Sequence, residues 1–380
     1  MIQKHITVIA GEASGDAHAG RMIAALKMLD TDIRVTGIGG DTMRDAGAEI
    51  MVDFSELAVM GLVEVLKRYR DIKKIFNQLV AKLKEDKPDL LILVDYPGFN
   101  LKLAKQAKQL GIPVLYYISP KVWAWRAGRV KTIKQSVDHM AVLFPFEVPI
   151  YQSAGVPVTC VGHPLVDAVQ KTLTTKQAKI KMGFKLNRRV LGLFPGSRRS
   201  EVEALLPVML DAAKRIQKTH NKVDIVLPVA SGLDSTFIET IIKQSDVPVK
   251  VVEDDFYQLT SACDAIVAAS GTVTLEIALL GVPHFITYRV APISYRILKH
   301  LVRIPYVGLC NIVTGKPVVM ELLQDEVTAE RLDKELVSLL SEANSKENAE
   351  KLRKQVLSAL GPTGGADNIA QLVITMLNKS

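Results

Sequence analysis

The chain has 380 residues, 48% of them hydrophobic and 23% charged, which excludes an intrinsically disordered protein and predicts two globular domains. Three widely spaced cysteines, Cys160, Cys263 and Cys310, exclude a disulfide framework and favour a reducing compartment. No apolar run approaches the ~18 residues that cross a bilayer, and the net charge of +8 predicts an anionic partner: nucleic acid, a membrane surface or a phosphorylated substrate.

The first half of the chain alternates short β-rich runs with amphipathic stretches. Residues 6–10, 33–35, 90–94, 113–118 and 139–143 are typical of strands, and 17–29 of a helix. This alternation predicts a parallel, doubly wound sheet, in which ligands bind beyond the carboxyl ends of the strands. The loops of interest are therefore 11–16, 95–100 and 119–126.

A second α/β series begins at Arg189, with strands predicted at 190–194, 223–229, 249–252 and 265–268. The predicted fold class is therefore α/β, with two Rossmann-like domains whose parallel sheets face each other across a cleft. The expected domains are 1–165, 166–345 and a C-terminal helical segment, 346–380. That segment either packs back on the first domain or is exchanged between the protomers of a dimer.

Small polar residues follow the strand predicted at 265–268. Ser270, Gly271 and Thr272 open a helix that Gly281 ends. A glycine allows close backbone approach, and the free N–H groups of a helix start favour phosphate oxygens. Glu276 lies on the same helical face as Thr272 and can accept hydrogen bonds from a ribose diol. An ordinary capped turn is the alternative.

A similar loop follows the first strand of the second series. Gly196 and Ser197 permit close backbone approach, and Arg198 offers a planar donor to phosphate or to uracil carbonyls. Together the two loops fit a nucleotide. The Gly-Lys-Ser/Thr element of a phosphate-binding loop is missing, which argues against ATP hydrolysis.

Carboxylates stand at two strand ends of the first half. Glu12 and Asp16 lie in a glycine-containing turn that lacks the dinucleotide-binding spacing. Asp95 follows a fully apolar strand, where burial would raise its pKa towards that of a usable base. A helix cap is the alternative for Asp16, and an ordinary turn residue is the alternative for Asp95.

Two basic surfaces are candidates for substrate or membrane contact. One combines tryptophans with cations, which suits single-stranded nucleic acid, a phosphorylated sugar or a bilayer interface. The other is an apolar run that leads into cations, typical of docking on anionic lipid or, alternatively, of a core-facing helix with a solvated basic face. Their residues are Trp123, Trp125 and Arg126 in the first, and Met60, Leu62, Val65 and Leu66 in the second.

His18 and His163 are the histidines near the candidate loops. No pair of histidines has the spacing of metal ligands, so no protein metal site is expected.

Seven short motifs follow one another through nearly the whole chain. They are GEASGD at 11–16, VMG at 59–61, SPxxWAWR at 119–126, VGHP at 161–164, LFPGSR at 193–198, PYVGLxN at 305–311 and ELLQ at 321–324. Each is weak alone, but the ordered set is specific. On these motifs the chain resembles the lipid-A-disaccharide synthase family.

The resemblance implies the two-domain glycosyltransferase fold called GT-B. It also implies transfer of 2,3-diacylglucosamine from its UDP carrier to the 6-hydroxyl of 2,3-diacylglucosamine 1-phosphate (lipid X). That reaction inverts the anomeric centre, releases UDP and takes place at the cytoplasmic face of the inner membrane of Gram-negative bacteria. The expected partners are these two lipids, the anionic membrane and, as an open alternative, a second copy of the chain. No cofactor and no nucleic acid are expected.

The resemblance also implies roles for the candidate residues. UDP would bind the loops with Gly196 and Ser270, and the base would come from the first domain. Asp16 and Asp95 compete for that role; we favour Asp95 because a strand end is more readily desolvated, and Glu12 would position it. Two other functions stay open: a GT-B enzyme acting on a soluble UDP-N-acetylglucosamine substrate, and a basic nucleic-acid-binding Rossmann protein.

Overall fold

The computed structural model describes residues 3–57, 62–124, 128–169, 173–220, 222–230, 232–291, 295–296, 305–341 and 344–379, with side chains of the helix 62–86 described from residue 70. The chain divides into two compact units. Unit 1 is Met1–Pro164 with Gly361–Ser380, and unit 2 is Leu165–Leu360. Among the described helices, none combines the length and the apolar character needed to cross a membrane.

Unit 1 is built on a seven-stranded sheet in which every pairing is parallel. Its strands are β1 His5–Ala10, β2 Arg34–Gly39, β3 Glu49–Asp53, β4 Leu90–Val94, β5 Val114–Tyr117, β6 His139–Val142 and β7 Val158–Cys160, in the order β3-β2-β1-β4-β5-β6-β7. All five residues of β4 are buried apolar side chains, as expected for a central parallel strand covered on both faces.

Helices cover both faces of this sheet. They are α1 Ala13–Leu29, α2 Asp41–Asp45, α3 Leu62–Asp86, α4 Pro97–Gln109, α5 Arg129–Ser136 and α6 Val148–Ser153, and α7 Pro164–Ala168 leads into unit 2. The last helix of the chain, Gly365–Leu377, packs on α1 and completes one of the two cores of unit 1.

Unit 2 has a six-stranded parallel sheet. Its strands are β8 Arg189–Phe194, β9 Val223–Pro228, β10 Val249–Val252, β11 Ala265–Ala269, β12 His284–Tyr288 and β13 Glu321–Leu323, in the order β10-β9-β8-β11-β12-β13. Its described helices are α8 Thr175–Lys181, α9 Arg199–Thr219, α10 Ser235–Lys243, α11 Phe256–Ala262, α12 Val273–Leu279, α13 Leu309–Thr314, α14 Ala329–Ser341 and α15 Ser345–Ala359. The helix Gly365–Leu377 is α16.

The predicted α/β class with two parallel-sheet domains is confirmed, and the structure adds two corrections. Four strands, β3, β7, β12 and β13, escaped prediction; β7 and β13 have only three residues, which are too few for a periodic signal. The predicted segment 346–380 is not one body: α15 packs within unit 2 against α12 and α13, and α16 belongs to unit 1.

Strand order decides which loops lie together. β1, β4 and β5 are neighbours in unit 1, and β8 and β11 are neighbours in unit 2. Because parallel strands end at the same edge of a sheet, the loops that follow these strands meet there.

Candidate active site

Asp95 stands directly after β4 at the carboxyl edge of the unit 1 sheet. Its backbone φ is +45°, and that of Tyr96 is also +45°. For residues other than glycine this left-handed conformation is uncommon and costs roughly 1 kcal/mol or more per residue. The turn is completed by Pro97, which opens α4. Two strained residues in succession therefore bend the chain sharply and present Asp95 at the end of its strand.

The surroundings of Asp95 change its acidity. Burial is the larger cause and the neighbouring Glu12 carboxylate the second; together they raise the pKa of Asp95 from 3.8 to about 6, while Lys121 and Arg129 act in the opposite direction. A carboxylate with a pKa near 6 is a stronger base than an ordinary one and is still ionised at neutral pH. Asp95 therefore has the electrostatics of a general base.

Glu12 occupies the N-cap position of α1, yet its side chain makes no capping hydrogen bond and is exposed. The preceding residue, Gly11, lies against the Tyr96 ring, and a Cβ at this position would be 2.5 Å from Cδ1 of Tyr96. The turn with Glu12 is thereby held against the turn with Asp95. The two carboxylates are close enough for the charge of Glu12 to raise the pKa of Asp95.

Asp16 has a different environment. It is 3% exposed, and its carboxylate accepts hydrogen bonds from the backbone N–H groups of Gly40 (2.6 Å), Thr42 (3.1 Å) and Met43 (3.2 Å). These are groups at the start of α2 that lack partners within the helix. The carboxylate of Asp16 therefore stabilises the connection from β2 to α2, which favours its alternative structural role.

Trp123 is held by a buried acid that the sequence did not reveal. Its Nε1 donates to Glu147, a residue 3% exposed that also accepts from the backbone N–H of Phe144. Burial raises the pKa of Glu147 to about 7. Trp123 also packs edge-to-face on Phe146. These contacts account for Trp123 within the fold and give no separate support to a stacking surface for nucleic acid.

His18 and His163 lie near each other at the same edge. Burial lowers the pKa of both to about 4, with Arg21 acting on His18 and His18 acting on His163. His163 stacks on Phe144, and His18 meets the edge of Tyr117. At neutral pH both imidazoles are uncharged.

In unit 2 the loop after β8 binds a carboxylate of the same chain, that of Glu201. The backbone N–H groups of Ser197 and Arg198 both donate to Oε2 of Glu201, at 3.1 and 3.3 Å, and the Arg198 guanidinium pairs with Oε1 at 3.1 Å. Gly196 has a φ of +113°, and a Cβ there would lie 2.4 Å from Oε2. The donors predicted to hold phosphate are thus arranged around a carboxylate.

The loop after β11 is tied to a second loop. Ser270 Oγ donates to the carbonyl oxygen of Val307 at 2.7 Å. Glu321 at the start of β13 fixes that loop, since its carboxylate accepts from the N–H groups of Val307 (3.0 Å) and Gly308 (2.9 Å) and from Asn311 Nδ2 (2.7 Å). Residues of the motifs at 305–311 and 321–324 therefore hold in place the loop whose Val307 carbonyl accepts from Ser270.

Gly271 and Glu276 complete this edge. A Cβ at Gly271 would have no atom within 4 Å, and Thr272 is exposed, so both face open space. Glu276 lies on α12, where its Oε1 accepts a hydrogen bond from the Tyr257 hydroxyl at 3.0 Å. Burial raises the pKa of Glu276, and the Tyr257 bond opposes this. The Tyr257 contact orients the carboxylate predicted to accept from ribose.

Several predicted residues cannot be placed in detail. Met60, Trp125 and Arg126 lie outside the described residues, and Leu62, Val65 and Leu66 lie on α3 in the part where side chains are not described. Within the described chain, no group of three or more His, Cys, Asp or Glu side chains is arranged to hold a metal ion.

Comparison with known proteins gives the family. The family model of lipid-A-disaccharide synthetase matches residues 6–369. The lipid-A-disaccharide synthases of Trichlorobacter lovleyi and Geobacter metallireducens are each 47% identical to this chain, covering 99% of it and 98% of their own length.

Among solved structures, the UDP-GlcNAc 2-epimerase of Neisseria meningitidis, bound to UDP-GlcNAc, has the same fold. Its TM-score is 0.61 at 16% identity, and the match covers 99% of this chain and 100% of that one. These findings do not favour the two alternative functions, a soluble-sugar enzyme and a nucleic-acid-binding protein. The chain belongs to the lipid-A-disaccharide synthase family and is a glycosyltransferase of the GT-B fold.

Proposed function

We propose that this chain transfers 2,3-diacylglucosamine from UDP to the 6-hydroxyl of 2,3-diacylglucosamine 1-phosphate, with inversion at the anomeric carbon and release of UDP. The observation that carries the proposal is the Asp95 carboxylate, presented by a strained turn with a pKa of about 6. An inverting transfer needs one base to take the acceptor proton as UDP departs. In this reaction Asp95 takes that proton, and the charge of Glu12 keeps the Asp95 carboxylate basic.

The donor binds unit 2 in this proposal. The N–H groups of Ser197 and Arg198 pass from Glu201 to the diphosphate, because they already surround an anion, the Glu201 carboxylate. Arg198 adds its guanidinium, Gly196, Gly271 and Thr272 allow the nucleotide to approach, and Glu276 accepts from the ribose hydroxyls. Ser270 supports the loop through Val307.

The departing diphosphate needs its charge offset, and the proposal assigns this task to side-chain cations and backbone N–H groups without a metal. The measurement is activity after exhaustive treatment with EDTA, with Mg²⁺ added back in a parallel sample. Unchanged rates support the proposal, and a rate restored by Mg²⁺ would contradict it.

The acceptor and donor both carry acyl chains in this proposal, so the enzyme works at the cytoplasmic surface of the inner membrane. Support comes from the helices of unit 1. α4 and α5 contain no acidic residue and carry exposed lysines, and α4 packs against both α3 and α5. Each cation near an anionic bilayer contributes about 1 kcal/mol of attraction. The lysines are Lys102, Lys105, Lys131 and Lys134.

The reaction is tested by incubating radiolabelled 2,3-diacylglucosamine 1-phosphate with UDP-2,3-diacylglucosamine and extracting the lipid product. A labelled disaccharide 1-phosphate is expected. Its absence, under conditions where a synthase from a relative is active, would overturn the proposal. Incubation with a soluble UDP-N-acetylglucosamine acceptor pair in parallel tests the soluble-sugar alternative.

Membrane docking is tested by co-sedimentation with phosphatidylcholine vesicles that contain or lack phosphatidylglycerol. The variant Lys102→Ala/Lys105→Ala/Lys131→Ala should bind anionic vesicles more weakly, and so should Leu62→Ser/Leu66→Ser. The matched control removes three exposed lysines of unit 2, Lys181, Lys185 and Lys218. Equal loss in variant and control would contradict a specific surface. Light scattering during size-exclusion chromatography tests the open alternative of a homodimer.

A further inference from the structure

The backbone carbonyl oxygen of Asp95 accepts two side-chain hydrogen bonds. The hydroxyl of Tyr116 donates to it at 2.6 Å, and Nδ2 of Asn100 donates at 2.8 Å. A second, weaker bond joins Asn100 Nδ2 to the Val94 carbonyl at 3.2 Å. The peptide group that links Asp95 to Tyr96 is therefore held by two neighbouring elements, β5 and α4.

That peptide group lies between the two left-handed residues, so its orientation decides where the Asp95 side chain points. The other side of the turn is held as well. The Tyr96 ring lies against Gly11, and its hydroxyl donates to the Leu57 carbonyl at 3.0 Å. A strained turn persists only where its surroundings hold it in place. Here the hydrogen bonds of Tyr116, Asn100 and Tyr96 do so.

The Tyr116 ring packs in the apolar core, but packing explains neither its hydroxyl nor the amide of Asn100. Both are completely buried, at 0% exposure, in a strand and a helix whose other buried neighbours are apolar. Asn100 Oδ1 has no hydrogen-bond partner among the described residues, and a buried unpaired acceptor destabilises the fold. A leucine would avoid that cost. What Asn100 supplies in return is its Nδ2 donor at the Asp95 carbonyl.

We propose that Tyr116 and Asn100 are positioning residues for the transfer reaction: by holding the Asp95 carbonyl they fix the direction of the Asp95 carboxylate. The inference rests on the proposed role of Asp95 as the base. The charged groups that act on this carboxylate are Glu12 from the β1–α1 turn, Lys121 from the loop after β5 and Arg129 at the start of α5. Because both side chains are fully buried, the proposal gives neither of them a contact with substrate.

The test is Tyr116→Phe, which removes one hydroxyl and keeps the ring. We expect kcat to fall about 10-fold, because a misplaced catalytic group loses rate without losing binding, while both KM values and the Kd for UDP stay within about twofold. The acid limb of the kcat–pH profile should move to lower pH, since a freed carboxylate reaches water. The matched control is Thr36→Val on β2 of the same sheet, which removes a buried hydroxyl that is hydrogen-bonded to His5 and Thr7.

Thermal unfolding of both variants separates stability from catalysis. Equal kcat and an equal acid limb in Tyr116→Phe and Thr36→Val would overturn the inference. If Tyr116→Phe does not fold, Asn100→Leu decides by the same readouts, and failure of both to fold would assign the pair to stability alone and reject the inference. The proposed function fails separately, if wild-type protein forms no disaccharide. Normal turnover in Asp95→Asn would instead remove Asp95 as the base and overturn this inference with it.

Discussion

The carboxyl edges of the two sheets hold their polar groups in different ways. In unit 1, Asp95 is partly buried, strained and near a second carboxylate, so its charged form is disfavoured. In unit 2, the loops with Ser197 and Ser270 are satisfied by carboxylates of the same chain, Glu201 and, through Val307, Glu321. This difference agrees with the roles proposed for the two edges, since a destabilised carboxylate suits proton transfer, whereas a satisfied, rigid set of donors suits binding.

The largest expected effect comes from removing the charge of Asp95. Asp95→Asn should lower kcat by about 10²–10⁴-fold, the usual contribution of a general base, with the Kd for UDP unchanged. The comparison variant is Asp16→Asn, which should lower the thermal midpoint because its amide keeps only one of the two oxygens that accept from the three N–H groups. A large fall in kcat for folded Asp16→Asn, with normal turnover in Asp95→Asn, would reverse the assignment.

The Asp95→Asn substitution should also stabilise the protein at neutral pH. The pKa of Asp95 is about 6 in the folded state and near 3.8 when unfolded, so the folded state resists its ionisation. This destabilisation is absent below pH 3.8, grows as the pH rises towards 6 and is then constant at up to about 3 kcal/mol. Urea unfolding should show Asp95→Asn to be more stable at pH 7.5 and equal to wild type near pH 3.5. Equal stability at both pH values would contradict the destabilised-base description.

At the carboxyl edge of the unit 2 sheet, Glu321→Gln should weaken the binding of UDP without affecting Asp95. A glutamine has one acceptor oxygen in place of two, so an N–H of Val307 or Gly308 loses its partner, at a cost of about 1–3 kcal/mol. We expect the Kd for UDP to rise about 10-fold by calorimetry. The control is Glu326→Gln, an exposed carboxylate that accepts from the N–H of Leu323. An unchanged Kd in Glu321→Gln would separate this network from the donor site.

The smallest effect is expected from Glu12→Gln. The Glu12 charge raises the pKa of Asp95, so its removal should lower that pKa and move the acid limb of kcat to lower pH by a few tenths of a unit, roughly 0.5 kcal/mol. The measurement is the kcat–pH profile between pH 4.5 and 8. A shift to higher pH would mean that Glu12 acts on another group.

Much of the site could be predicted because it follows from strand ends. The apolar run of β4 predicted a buried strand, and Asp95 came directly after it. Glu147 could not be predicted in the same way, since a glutamate after a Pro-Phe pair is an ordinary exposed turn until Trp123 and Phe144 enclose it. Tyr116 looked like one more apolar strand residue, because its hydroxyl reaches Asp95 only through the pairing of β4 with β5.

By itself, the sequence determined the two α/β units, the loops that carry the polar residues and, through seven ordered motifs, the family. These properties are local: hydrophobic periodicity and turn residues act over a few positions. Only the tertiary structure distinguished the environments of Asp16 and Asp95 on physical grounds. Asp16 meets its N–H donors 24 to 27 residues away, and Asp95 owes its pKa to burial and to Glu12. Burial and hydrogen-bond satisfaction depend on long-range contacts, which a local pattern does not contain.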